Sequence, residues 1–202
     1  MLVLNDLSFQ QPGSVLQKVN LTANVGQIVL VSGPSGIGKT TLIDIISGFH
    51  EPKTGSVNWY DENLLTKPPW SRPVSTMFQT DNFFPHLSVK ENLLLGLKNT
   101  PKRSNEIQNK LEFLNVLTLL NRKSEHLSGG ELQRVSLIRA LIRQKPILLL
   151  DEPFSALDTD MVKKASKLIL EYTKAIQSVT IIVSHRDVSG YLNANYQIEM
   201  RQ

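Results

Sequence analysis

The residues with the most legible chemistry form one run, Gly33-Pro34-Ser35-Gly36-Ile37-Gly38-Lys39-Thr40, which fits G-x-x-x-x-G-K-[ST] in full. Glycines let a backbone curl until several N–H groups point at one phosphate chain. A helix opening at Lys39 would turn its positive N-terminal end toward the same anion. Lys39 can then neutralise β- and γ-phosphates, and Thr40, with Thr41 beside it, can ligate Mg²⁺. A second group closes the apolar run Ile147-Leu148-Leu149-Leu150 with Asp151 and Glu152. Acids at the C-terminal edge of a buried strand sit where α/β sheets bind ligands. Alone, an Asp-Glu pair there is an ordinary turn. Beside a phosphate loop, Asp151 becomes a carboxylate for Mg²⁺, directly or through water. Glu152 becomes a general base for a water near the γ-phosphate.

These groups need a scaffold, and the periodicity supplies one. Residues 2–9 and 15–23 read as two strands joined through Gln11-Pro12-Gly13-Ser14, a hairpin. Short apolar runs predict buried strands over 27–32 and 147–150, with further strands at 54–59, 74–78, 180–184 and 196–200. Helical spacing predicts helices over 39–47 with Gly48 as C-cap, 91–97, 106–120, 131–143 and 159–172. Strand signals fade between residues 80 and 127, the mark of a helical insert. Alternating strands and helices around it argue for an α/β fold with a mostly parallel sheet.

Composition narrows the class. The chain has 202 residues, enough for one domain or one domain with a small insert. The absence of Cys excludes a disulfide framework, a thiolate zinc site and a Cys nucleophile, and fits a reducing compartment. Lys and Arg number 22 against 18 Asp and Glu, a net +4 that is a solvated surface and gives no ground for a nucleic-acid partner. No apolar stretch is long enough to span a membrane, and the start MLVLNDLSF lacks the features of a secretory signal.

A third motif, Leu127-Ser128-Gly129-Gly130-Glu131-Leu132-Gln133-Arg134, opens the helix before the acidic strand. Ser128 and the glycine N–H groups would make a second anion-binding helix terminus, or a plain cap. With the phosphate loop and the Asp-Glu pair, this sequence resembles the ATP-binding cassette (ABC) ATPases over nearly the whole chain. The resemblance implies a RecA-like P-loop NTPase core with an N-terminal antiparallel β region and an inserted helical subdomain. It gives a single domain, 1–202, with 1–79 and 136–202 as core and 80–135 as insert. In that family the signature of one subunit faces the phosphate loop of another and two ATP molecules lie between them. Ser128, Gly129 and Gly130 are thereby implied to contact the γ-phosphate in a partner copy's site. The family's Q-loop glutamine falls on Gln79, sensing Mg²⁺ and water, its D-loop on Ser155-Ala156-Leu157-Asp158, and its switch histidine on His185. A neutral His there can hydrogen-bond a γ-phosphate oxygen; a lone His at a strand end is otherwise structural. One position departs from the family. The aromatic residue that usually stacks on adenine is replaced by Gln11, and Phe9 lies two residues away on the same side, deeper, so loose selectivity between ATP and GTP is expected.

The stretch Pro68-Pro69-Trp70-Ser71-Arg72-Pro73-Val74-Ser75, with Asn82-Phe83-Phe84-Pro85-His86-Leu87-Ser88-Val89, is similar to bacterial importer ATPases, most of all those for thiamine. Importers of inorganic anions, iron and polyamines are the alternative, and no C-terminal regulatory domain is expected. This branch implies ATP and Mg²⁺ as cofactors, a head-to-tail second copy and integral membrane permease subunits as partners, and a soluble solute-binding protein acting indirectly. It implies a peripheral place on the cytoplasmic face of the inner membrane. Phe83, Phe84 and Leu87 are either core of the insert or the wall of a groove for a permease helix. A non-transport ABC ATPase, a P-loop kinase and a binding-only cassette are weaker alternatives: LSGG argues against the kinase, and Glu152 with His185 against the binding-only form.

Overall fold

The computed structural model describes residues 1–11, 14–80, 82–97 and 101–200. Two sheets organise it. The strands β1 (Leu2–Gln11), β2 (Ser14–Ala23), β4 (Thr54–Trp59) and β5 (Glu62–Asn63) form an antiparallel sheet in the order β2-β1-β4-β5. The strands β3 (Ile28–Ser32), β6 (Val74–Met77), β7 (Ile147–Asp151), β8 (Val179–Val183) and β9 (Tyr196–Glu199) form a parallel sheet in the order β6-β7-β8-β3-β9. The hairpin predicted at the start is present, although its turn residues 12 and 13 lie outside the described residues.

The central strands are apolar apart from Thr180 and the terminal Ser32 and Asp151, because both faces of the parallel sheet are covered. Side chains alternate between the faces. Ile28, Leu30, Leu148, Leu150 and Ile182 point into one cluster, with Val135, Leu137, Ile138 and Leu141 of α4 (Gly129–Leu141) and Val162, Ala165, Leu168 and Ile169 of α5 (Thr159–Ile176). Val29, Val31, Ile147, Leu149, Ile181 and Val183 point into the other, with Leu42, Ile43, Ile45 and Ile46 of α1 (Lys39–Ser47) and the inner side chains of β1 and β2. Gly48 caps α1, its N–H bonded to the carbonyls of Asp44 and Ile45.

Between β6 and α4 run α2 (Val89–Leu94) and α3 (Pro101–Phe113), and their buried residues Val89, Leu93, Ile107 and Leu111 join the first cluster. The helix predicted over 106–120 is shorter at its C-terminus. It ends at Phe113, Asn115 is left-handed (φ 56°), and a 3₁₀ turn covers Leu117–Leu119. Leu114, Val116 and Leu119 are buried in the same cluster, so apolar spacing continues across a break in the backbone. The helix predicted from residue 91 starts at Val89 because Ser88 and Glu91 form a capping box.

Candidate active site

The chemistry-bearing residues converge at the C-terminal ends of the parallel strands. β3 leads into the phosphate loop, β6 into Gln79, β7 into Asp151-Glu152 and β8 into Ser184-His185. A cleft of about 290 Å³ there is lined by Ser35, Gly36, Gly38, Lys39, Thr40, Thr41, Gln79, Asp151, Glu152, Val183 and His185. Gly33, Pro34 and Ile37 complete the loop outside that lining. Lys39 Nζ donates to the carbonyls of Gly33 (2.7 Å) and Pro34 (2.8 Å), so the loop's own oxygens position its ammonium. Burial pushes the Lys39 ammonium below the usual lysine range, while Glu152 and Asp151 pull it back up. Gly38 has φ 101°, and a Cβ there would stand 2.6 Å from the Val15 carbonyl oxygen. The loop therefore lies against β2 at a distance that only glycine permits.

Asp151 is 1% exposed, and neither carboxylate oxygen has a hydrogen-bond partner. Burial raises its pKa above the usual carboxylate range. The nearby Thr40 hydroxyl and Lys39 partly offset this, and Glu152 and Asp44 add to it. A buried carboxylate without partners, facing a threonine hydroxyl in a cleft that Gln79 also lines, is a set of hard oxygen donors. The set fits Mg²⁺, which keeps several ligands for phosphate oxygens and water. No group of three or more His, Cys, Asp or Glu residues able to hold a metal occurs among the described residues.

Glu152 is 5% exposed and has a left-handed backbone (φ 50°). Its Oε1 lies 3.2 Å from His185 Nε2, and its Oε2 accepts from the His185 backbone N–H at 3.3 Å. His185 is half exposed and lines the cleft, so its ring can meet a ligand there.

Ser128, Gly129 and Gly130 are not in the lining of this cleft. They open α4, where Ser128 and Glu131 form a capping box and the Ser128 hydrogen bonds hold the Glu131 carboxyl below its usual range. Ser128 is exposed. A Cβ on Gly130 would stand 3.0 Å from the Ala156 carbonyl oxygen, so the signature packs tightly on the segment after Glu152. Gln133, which stood in the signature without a role of its own, ties the two together. Its Nε2 donates to the Glu152 carbonyl (2.7 Å) and Ser155 Oγ (2.8 Å), and its Oε1 accepts from the Ala156 N–H (2.8 Å). Asn82 braces the segment around Gln79 in a similar way. It accepts from the Phe78 N–H at 2.9 Å, and its own carbonyl accepts from Arg139.

Beside the phosphate loop lies a larger cavity of about 780 Å³, lined by Phe9, Gln10, Val15, Leu16, Ile37 and Lys53 among others. Gln11 is exposed at the end of β1 and does not line it. Phe9 is buried and stacks on His50 with ring centroids 5.1 Å apart, so its face is already covered. Phe83 and Phe84 divide between the two sequence readings. Phe83 packs on the first core cluster with the Arg139 guanidinium 5.7 Å from its ring centre, whereas Phe84 is 50% exposed.

The family model described as ABC transporter matches residues 16–155, so the chain belongs to that family and is an ABC ATPase with the RecA-like P-loop core. Among curated relatives, it is 41% identical to the thiamine import ATP-binding protein ThiQ of Aliivibrio fischeri, over 84% of this chain and 74% of that protein. It is 42% identical to ThiQ of Haemophilus influenzae, over 83% and 80%. It is 40% identical to the spermidine/putrescine import ATP-binding protein PotA 1 of Pseudomonas aeruginosa, over 84% of this chain and 48% of that one. Among solved structures, the bacterial ABC transporter cassette MJ0796, described as dimeric, superposes with a TM-score of 0.85 at 26% identity, covering 99% of this chain and 94% of that one.

Proposed function

We propose that this chain is the ATP-hydrolysing, energy-coupling subunit of a bacterial importer for a small solute, with thiamine as the solute. The observation that carries the enzymatic half is the cleft in which Lys39, Thr40, Gln79, Asp151, Glu152 and His185 meet around one phosphate-sized space. The identity to thiamine import proteins supports the solute. The polyamine import relative at 40% identity carries the second reading, another small solute.

In this reading the amides of residues 33–40 and Lys39 bind the phosphate chain, with Thr41 alongside. Thr40, Asp151 and Gln79 would hold Mg²⁺, which when bound neutralises charge on the phosphate oxygens. Glu152 takes the proton of the attacking water, and His185 Nε2 holds a γ-phosphate oxygen. No covalent intermediate is needed, because positioning and electrostatics carry phosphoryl transfer. Ser128, Gly129 and Gly130, which are not in the lining of their own chain's cleft, serve the site of a head-to-tail second copy. That dimeric assembly is supported by the dimeric cassette among the structural relatives. Residues 1–79 and 136–202 act as the nucleotide-binding core and 80–135 as the insert that meets the permease subunits. The soluble solute-binding protein acts through the permease, and the chain sits peripherally on the cytoplasmic face of the inner membrane. No helix among the described residues is long and apolar enough to cross a membrane.

The test is Mg²⁺-dependent ATP hydrolysis by the purified chain and by Glu152→Gln. The variant should bind ATP with little turnover; a Gln variant that hydrolyses at the parent's rate removes Glu152 as base. For the solute, a deletion strain that cannot make thiamine should lose growth on low external thiamine, and unchanged growth turns the reading toward the alternative solutes.

A further inference from the structure

Glu152 is a non-glycine residue held in the left-handed region, a conformation that persists only when its surroundings fix it from several sides. The backbone around it is fixed in that way. The Glu152 N–H donates to the Val183 carbonyl at 2.9 Å, and its carbonyl accepts from the Ser155 N–H at 3.3 Å and from Gln133 Nε2 at 2.7 Å. The next turn, Phe154 to Leu157, closes with the Leu157 N–H on the Phe154 carbonyl at 3.2 Å. Both carbonyls of that turn are also taken by one side chain from another strand end. Arg186 Nη1 donates to Phe154 O at 2.9 Å and to Leu157 O at 2.6 Å.

Arg186 follows His185, and its own backbone is pinned. Its N–H donates to Ser184 Oγ at 3.0 Å, and the same hydroxyl donates to its carbonyl at 3.1 Å. The His185 N–H and ring in turn meet the Glu152 carboxylate. The contacts close a ring: Glu152 carboxylate, His185, Arg186, the Phe154–Leu157 turn, and back to the Glu152 carbonyl through Ser155. Nothing in the sequence reading gave Arg186 a role, and an ionised carboxylate there, with no N–H or O–H, could not donate to either carbonyl.

We propose that Arg186 is a positioning residue for hydrolysis, a strut that joins the His185 loop to the turn after β7 and so holds the Glu152 carboxylate where water must be activated. Arg186 lines neither the phosphate cleft nor the larger cavity beside the loop. Its removal should therefore leave nucleotide binding in place and move the rate. A small displacement of a catalytic group costs up to about a hundredfold in rate.

This rests on the proposed role of Glu152, so the experiment measures both. For the parent, Arg186→Met, Arg186→Lys, Glu152→Gln and the double variant Arg186→Met/Glu152→Gln, kcat for ATP and the Kd of a non-hydrolysable ATP analogue are determined. Arg186→Met should lose about ten- to a hundredfold in kcat with Kd within about twofold of the parent. Both bonds come from one nitrogen, so Arg186→Lys, which keeps a cationic donor on a side chain one bond shorter, should fall between them. The double variant should be no slower than Glu152→Gln alone, because both act through one group. Arg186→Met with the parent's kcat, while Glu152→Gln is inactive, overturns the strut and leaves the base. Glu152→Gln with the parent's kcat overturns both. Equal loss of kcat and nucleotide affinity in the Met and Lys variants means a general loss of structure and also overturns the strut. If the Met variant does not fold, Arg186→Gln, too short to reach both carbonyls, decides: a reduced kcat at unchanged Kd supports the proposal, and an unchanged kcat overturns it.

Discussion

Replacing Asp151 by Asn should stabilise the nucleotide-free protein while disabling it. Asp151 is 1% exposed, and the nearby Thr40 hydroxyl and Lys39 offset the burial of its charge only in part. A buried group left unsatisfied costs about 1–3 kcal/mol, and more when charged. Asparagine keeps the shape but leaves an amide equally short of partners, so a net relief of about 1–2 kcal/mol is expected. For a chain of this size each kcal/mol moves the thermal midpoint by about 2–4 °C, giving a rise of about 2–8 °C at pH 7.5. The sign with pH follows from burial raising the Asp151 pKa in the folded state. Between the ordinary carboxylate value of about 4 and the raised one, the folded chain binds more protons than the unfolded chain, so this group's contribution to stability falls as pH rises through that window. The advantage of Asp151→Asn should therefore be full above the window and shrink as pH falls toward the ordinary value. Melting followed by circular dichroism at pH 7.5 and at stepwise lower pH measures it. Added Mg²⁺ and ATP should raise the midpoint of the parent more than that of the variant. A variant that melts below the parent at pH 7.5 would refute the reasoning, since Asp151 would then be a satisfied structural residue.

Two other predictions concern the ends of the nucleotide and the insert. With Gln11 exposed and Phe9 engaged with His50, competition binding should find ATP and GTP within about tenfold of each other, since stacking on an aromatic face is worth only about 0.5–1.5 kcal/mol; a strong preference for ATP counts against it. Phe84→Asp should abolish solute uptake while leaving ATP binding unchanged, whereas Phe83→Asp should also cost about 1–3 kcal/mol of stability, because it sets a charge against the core cluster. Unchanged uptake by Phe84→Asp would remove this surface from the coupling route.

How far the sequence could be read depended on how local the determinants were. Helix α1 was legible to its ends because a glycine-bounded loop, a helical apolar stripe and Gly48 all lie within one short stretch. Strand β7 was legible because a strand buried on both faces reads as a continuous apolar run, here Ile147–Leu150 before Asp151. The break after Phe113 was not, because Leu114, Val116 and Leu119 keep burying into one cluster on either side of it. At the site, residue types and spacing located Lys39, Thr40, Asp151 and Glu152, the family resemblance pointed to Gln79 and His185, and all six line one cleft. The residues that hold them were hidden. Gln133 reads as a surface glutamine until its amide is seen on Glu152, Ser155 and Ala156, and the partners of Arg186 lie on the turn after another strand. Such reach across elements leaves no trace in periodicity. The difference between Phe83, partly buried against the core and under the Arg139 guanidinium, and the exposed Phe84 is likewise set by contacts with a distant helix.

The central claim is that one chain carries half of each active site and that ATP joins two chains. Light scattering on Glu152→Gln with Mg²⁺ and ATP, with and without Ser128→Arg in the same chain, tests it most directly. ATP should double the mass of Glu152→Gln, and Ser128→Arg, outside its own chain's cleft, should return it to a monomer that still binds ATP. A Glu152→Gln chain that binds ATP and stays monomeric, or a dimer indifferent to Ser128→Arg, would contradict it.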